Sequence, residues 1–99
     1  MLIHTVLFWL KDDLEDAQRV AFLKGLESLK GIQATEAVYI GTPAKTTPRP
    51  VMDFSYDYCL TVLLPDMTAH DDYQEDALHT AFLEQFNTYW KAVKIYDAD

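Results

Sequence analysis

From Leu2 to Leu10 the chain reads LIHTVLFWL, nine residues that are apolar at nearly every position. A short run of this kind is a strand with both faces covered, because a half-exposed strand would alternate apolar and polar residues. Side chains alternate across a strand, so Leu2, His4, Val6, Phe8 and Leu10 share one face and Ile3, Thr5, Leu7 and Trp9 the other. A chain of 99 residues is a single domain with one modest core, residues 1–99. The helices of so small a domain reach only one face of a sheet. The other face must meet something else, and the expected partner is a second copy of the chain, giving a homodimer packed sheet to sheet.

The rest of the chain supplies the elements around that strand. Asp12 and Asp13 are expected to cap a helix that carries Leu14, Ala17, Ala21, Phe22, Leu26 and Leu29 at helical spacing and closes at Gly31. Ala34 to Ile40 reads as a second strand ending at Gly41, and Phe54 to Leu64 as a third. Between them, Thr42 to Pro50 holds three of the four prolines and is an exposed connection. Its functional reading is a lid with Lys45 and Arg49 attracting an acidic ligand, and its plainer reading is a long hairpin loop. A short helix is expected over Thr68 to Tyr73, a longer one from Asp76 to Tyr89, and a fourth strand from Trp90 to Tyr96. Strand, helix, strand, strand, helix, strand is the split βαβ order of an α+β, ferredoxin-like fold: a four-stranded antiparallel sheet with helices on one side.

Composition removes several functions. With 16 acidic and 8 basic residues the formal net charge is −8, so the positive footprint that nucleic acid or an anionic membrane requires is missing. Most of the acids belong to solvated helix faces and loops. The lone Cys59 excludes an intrachain disulfide and a cysteine zinc site, and is expected to be buried and inert. No apolar run approaches the roughly 20 residues that cross a bilayer, and the first residues lack the basic region of a signal peptide, so the expected location is the cytoplasm.

Two histidines lie inside apolar patterns. His79 has Phe82, Leu83 and Phe86 at i+3, i+4 and i+7, which places its imidazole on the stripe facing the sheet. Burial there lowers its pKa and favours the neutral, proton-accepting form, although a core histidine satisfied by one hydrogen bond fits the same pattern. His4 shares a strand face with Val6 and Phe8, and Tyr58 shares one with Leu60 and Val62; register decides whether these faces coincide. Tyr73 stands six residues before His79 across an expected helix break, close enough in sequence for its phenol to reach the same cavity. Val6, Phe8, Tyr58, Phe82 and Phe86 are the expected lining. A metal is not expected, since His4, His70 and His79 show no i, i+4 pair and no carboxylate at a metal-binding spacing. There is also no glycine-rich phosphate loop and no nucleophile elbow.

The segment His4-Thr5-Val6-Leu7-Phe8 with Lys11, followed by Tyr73, His79 and Phe82, resembles the stress-responsive A/B barrel domain family, Dabb, over nearly the whole chain. The resemblance implies a dimeric α+β barrel. A plant member of that family closes a linear polyketide by aldol condensation without a cofactor, using a tyrosine and a histidine; Tyr73 and His79 are similar to that pair. By that similarity His79 removes the proton next to a carbonyl, Tyr73 hydrogen-bonds the oxygen and His4 shapes the cavity. Two positions depart from the family pattern: Tyr58 stands where the cyclase has a further cavity histidine, and Asp76-Ala77 replaces the usual His-Pro.

Three readings follow. The first is a small cofactor-independent enzyme of cyclase or lyase type acting on a hydrophobic carbonyl compound, with Tyr73 and His79 as acid–base pair and His4 assisting. The second is a non-catalytic homodimer that binds an apolar ligand or has a stress-related structural role. The third is a cofactor-free monooxygenase.

Overall fold

Alternation along the first strand fixes which side of the sheet becomes the core. The computed structural model describes all of residues 1–99, and in it β1 (Leu2–Leu10) buries Leu2, His4, Val6, Phe8 and Leu10 while the intervening residues stay partly or fully accessible. β1 is followed by α1 (Asp16–Ser28), a 3-10 turn (Leu29–Gly31), β2 (Ala37–Gly41), β3 (Tyr58–Leu64), α2 (Met67–Glu75), α3 (Ala77–Phe86) and β4 (Trp90–Ala98). The sheet order is β2-β3-β1-β4, and β1 is antiparallel to both β3 and β4, as β3 is to β2. This is the ferredoxin-like α+β fold.

Several boundaries differ from the sequence reading, each for a local reason. α1 begins at Asp16, not beside Asp12 and Asp13. Its cap is Glu15, whose backbone N–H donates to Gln18 Oε1 at 2.8 Å, while Asp12 instead accepts from Lys91 Nζ at 3.0 Å. β3 begins at Tyr58 because Asp57 ends the ladder: its carboxylate accepts from the Leu10 N–H at 2.7 Å, taking the place of a strand neighbour. β2 loses Ala34 to Glu36 to a turn in which Thr35 donates its hydroxyl to the Ile32 carbonyl at 2.9 Å. The proline-rich connection is exposed and carries no regular structure from Thr42 to Arg49.

The core lies between the sheet and the helices, with Phe22 at its centre. Its ring contacts those of Phe8, Tyr58, Phe82, Phe86, Tyr89 and Trp90 at centroid separations of 5.3 to 6.3 Å, and the side chain is fully buried. Burying one such ring contributes about 1.5–3 kcal/mol. Helices cover only the inward face. On the outer face Ile3, Tyr39 and Tyr96 remain exposed, Leu7, Trp9 and Leu63 are half-buried, and so is Cys59, which was expected to be buried.

Candidate functional site

Asp76 is the residue that points two helices at one place. It ends α2, where its N–H donates to the Tyr73 carbonyl at 3.3 Å, and it caps α3, where its carboxylate accepts from the Leu78 N–H at 2.9 Å. The bend sets Tyr73, near the end of α2, against His79, in the first turn of α3, with ring centroids 5.0 Å apart. Asp66 performs the same service at the start of α2, accepting from the Ala69 N–H at 2.8 Å after Pro65 has ended β3.

The sheet supplies the floor. Directly opposed residues of an antiparallel pair share a face, and β4 pairs with β1 as His4 to Asp97, Val6 to Ile95 and Phe8 to Val93. His4 is therefore inward and 2% exposed, and its Nδ1 meets Asp97 Oδ1 at 2.5 Å. That contact holds the imidazole in one orientation. The His4 ring lies 5.7 Å from Tyr73 in an edge-on arrangement.

Between floor and helices is a cavity of about 250 Å³ lined by His4, Val6, Phe8, Leu29, Leu60, Tyr73, Gln74, His79, Phe82, Leu83, Trp90, Val93 and Ile95. It borders β4, where the inward-facing Val93 and Ile95 remain 40% and 54% exposed. His4, Val6, Phe8, Tyr73, His79 and Phe82 thus come together around one space. Tyr58 and Phe86 do not line it, contrary to the sequence reading. Register sets Tyr58 opposite Phe8 at the far end of β1, where it packs on Phe22, and Phe86 lies deeper, against Phe22 and Tyr89. No residue of the Thr42–Pro50 connection lines the cavity, so Lys45 and Arg49 are not part of it. Sequence reading missed Asp97, which lies just past the expected end of the fourth strand at Tyr96 but inside the observed β4; its partnership with His4 spans 93 positions and needs the register.

Two polar atoms on the cavity wall have no hydrogen-bond partner, Tyr73 Oη and His79 Nδ1. A buried orphan of this kind costs about 1–3 kcal/mol, and folded proteins keep few of them. Their titration is shifted in complementary directions. Burial pushes the Tyr73 phenol well above its ordinary 10.0, so it keeps its proton. Burial, and then the neighbouring His4, push His79 below its ordinary 6.5; the Gln74 carbonyl and the Asp76 carboxylate oppose this more weakly. At neutral pH the pair is a protonated phenol beside a neutral imidazole, a hydrogen-bond donor next to a proton acceptor.

Comparison with known proteins gives a consistent family. A Dabb family protein with a ferredoxin-like fold from Mesorhizobium loti is 20% identical with a TM-score of 0.78, over 99% of this chain and 94% of the other. A dimeric ferredoxin-like protein from Thermobifida fusca is 17% identical with a TM-score of 0.79, over 98% and 88%. The hydroxynitrile lyase of Passiflora edulis is 12% identical with a TM-score of 0.79, over 98% and 90%. These likenesses show the fold. No curated protein matches the chain in sequence. The model of the stress responsive A/B barrel domain matches residues 2–99, and with nearly the whole length matched the chain belongs to that family, Dabb.

Proposed function

We propose that this protein is a cofactor-independent enzyme of cyclase or lyase type that acts on a small hydrophobic carbonyl compound, with Tyr73 and His79 as its acid–base pair. The observation that carries the reading is the pair of unpartnered atoms, Tyr73 Oη and His79 Nδ1, on the wall of a mostly apolar cavity. A polar guest in that cavity would offer them partners. The neutral imidazole accepts the proton from the carbon next to the carbonyl, and the phenol donates a hydrogen bond to the oxygen as negative charge gathers there. His4, held by Asp97, keeps the floor beneath Tyr73 fixed. A volume of about 250 Å³ is slightly below the roughly 300–1,000 Å³ of ordinary ligand pockets, which favours a small substrate. That a hydroxynitrile lyase has the same fold makes carbonyl chemistry compatible with the scaffold without choosing it.

The working form is a homodimer joined through the outer sheet face. The exposed Ile3, Tyr39 and Tyr96 and the half-buried Leu7 and Leu63 offer the apolar surface, and a structural neighbour is a dimer. The alternative is a non-catalytic dimer that binds an apolar ligand. It is favoured by the lining, which apart from His4, Tyr73, Gln74 and His79 is hydrocarbon and indole.

Histidine titration by NMR, with and without hydrophobic β-keto compounds, separates the two. The enzyme reading expects a His79 midpoint below 6.5 that moves when ligand binds and moves again in Tyr73→Phe, because the two groups share one guest. It also expects kcat/KM to rise with pH through that same midpoint and to stay level above it, since the base must be deprotonated and the phenol stays protonated. A His79 resonance indifferent to every ligand and to Tyr73→Phe removes the acid–base pair.

A further inference from the structure

His70 takes no part in the acid–base pair. It sits one turn before Tyr73 on α2, its side chain is 18% exposed, and its ring lies 5.5 Å from that of His4, edge-on at 69°. Its Nδ1 is held by Asp71 Oδ1 at 3.2 Å, which leaves Nε2 free. Beside it, His4 and Asp97 are already in contact at 2.5 Å. The potential ligand atoms of His4, His70 and Asp97 all lie within 4.8 Å of one another.

We propose that His4, His70 and Asp97 form a three-ligand site for a divalent transition-metal ion, where α2 meets the edge of the sheet formed by β1 and β4. Two imidazoles and one carboxylate suit zinc, iron(II) or cobalt(II), whereas magnesium and calcium require more oxygen. A tetrahedral ion about 2.0–2.1 Å from each nitrogen holds its donor atoms roughly 3.3 Å apart. The present separations, 2.5 Å between His4 and Asp97 and all within 4.8 Å across the set, bracket that spacing. Asp71 is the outer partner that fixes the His70 tautomer with Nε2 toward the ion, the usual carboxylate–histidine–metal arrangement. Side-chain burial falls from His4, its side chain 3% exposed, through His70 to Asp97, its side chain 45% exposed, so an ion enters from the Asp97 side, and a net charge of −8 draws cations toward the molecule.

Spacing in the sequence gives no sign of this site because each ligand comes from a different element and the two outermost are 93 positions apart. A three-ligand ion keeps a fourth position for water or a small anionic ligand. It also fastens α2, and with it Tyr73, to the sheet. The site shares His4 with the cavity but does not rest on the proposed acid–base chemistry, since neither Tyr73 nor His79 is a ligand.

The test is titration of untagged, chelator-treated protein with Co²⁺, read by its visible ligand-field absorption, with Zn²⁺ as competitor. One ion per chain is expected, with the intense bands of a four-coordinate site. Binding should weaken at least about tenfold in His70→Ala and in Asp97→Asn, and be unchanged in Asp72→Asn, which removes a nearby exposed carboxylate that is not a ligand. Bound water–like spectra at saturating Co²⁺, or a His70→Ala variant that binds as tightly as the parent, overturn the proposal. Either result leaves the behaviour of Tyr73 and His79 toward carbonyl compounds untouched, so the two readings fail separately.

Discussion

A buried hydroxyl without a partner is a cost in the empty protein and an asset only when something binds it, so Tyr73→Phe separates stability from chemistry. Tyr73 is fully buried and its Oη has no partner. Removing that oxygen keeps the ring and should raise stability by about 1 kcal/mol, at the low end of the penalty for a buried unsatisfied group, while lowering turnover about 10²-fold or more. Thermal unfolding and steady-state rates on the same sample check both halves; a destabilised variant with intact turnover would make Tyr73 a structural residue. Counting along strand and helix put His4 and His79 on inward faces, whereas Tyr73 entered through its distance from His79 across a helix break and through the family resemblance. Sequence reading misplaced Tyr58, which lies on the inward face opposite Phe8 but packs on Phe22 instead of the cavity, since counting gives a face and not the neighbour that covers it. Asp97 was hidden because the fourth strand was read to end at Tyr96, one residue short of it, and its pairing with His4 needs the register.

At the scale of elements, the contact between α1 and α3 depends on Gly25. A Cβ built there would meet the Phe86 ring at 2.3 Å, and that ring is boxed in by Phe22, Phe82 and Tyr89 at 5.0 to 5.7 Å. Glycine within a helix is about 1 kcal/mol worse than alanine, while overpacking a tight core costs about 1–3 kcal/mol. Three neighbouring rings hold the Phe86 ring, so the clash should win and Gly25→Ala should lose about 1 kcal/mol in denaturant unfolding. A gain of stability would show that α1 and α3 slide apart easily. The elements and their order were legible because apolar period changes along the chain. Their ends were not, because single side chains decide them: Glu15 with Gln18 for α1, and the Asp57 carboxylate for β3.

The whole molecule is thin, with a shortest extent of 17 Å, as one sheet with helices on one side must be. Its uncovered face explains why β1 is apolar on both sides. Sedimentation equilibrium should find a dimer, and Leu7→Glu, which puts a charge at the middle of the outer face without touching the cavity, should give monomers that retain the fold. A monomeric parent protein would contradict the interface. The expectation of a two-sided strand was available from nine residues, whereas the cavity proposed as the site of chemistry required separate segments of chain to be brought together. The most direct measurement is therefore made at that cavity: hydrogen–deuterium exchange at the carbon next to the carbonyl of a small hydrophobic ketone or β-keto compound, followed by NMR in D₂O with the parent protein and with His79→Ala. Proton abstraction by His79 predicts exchange well above the buffer rate and a loss of about 10²- to 10⁴-fold in the variant; exchange at the buffer rate in the parent, or the same enhancement in His79→Ala, would contradict it.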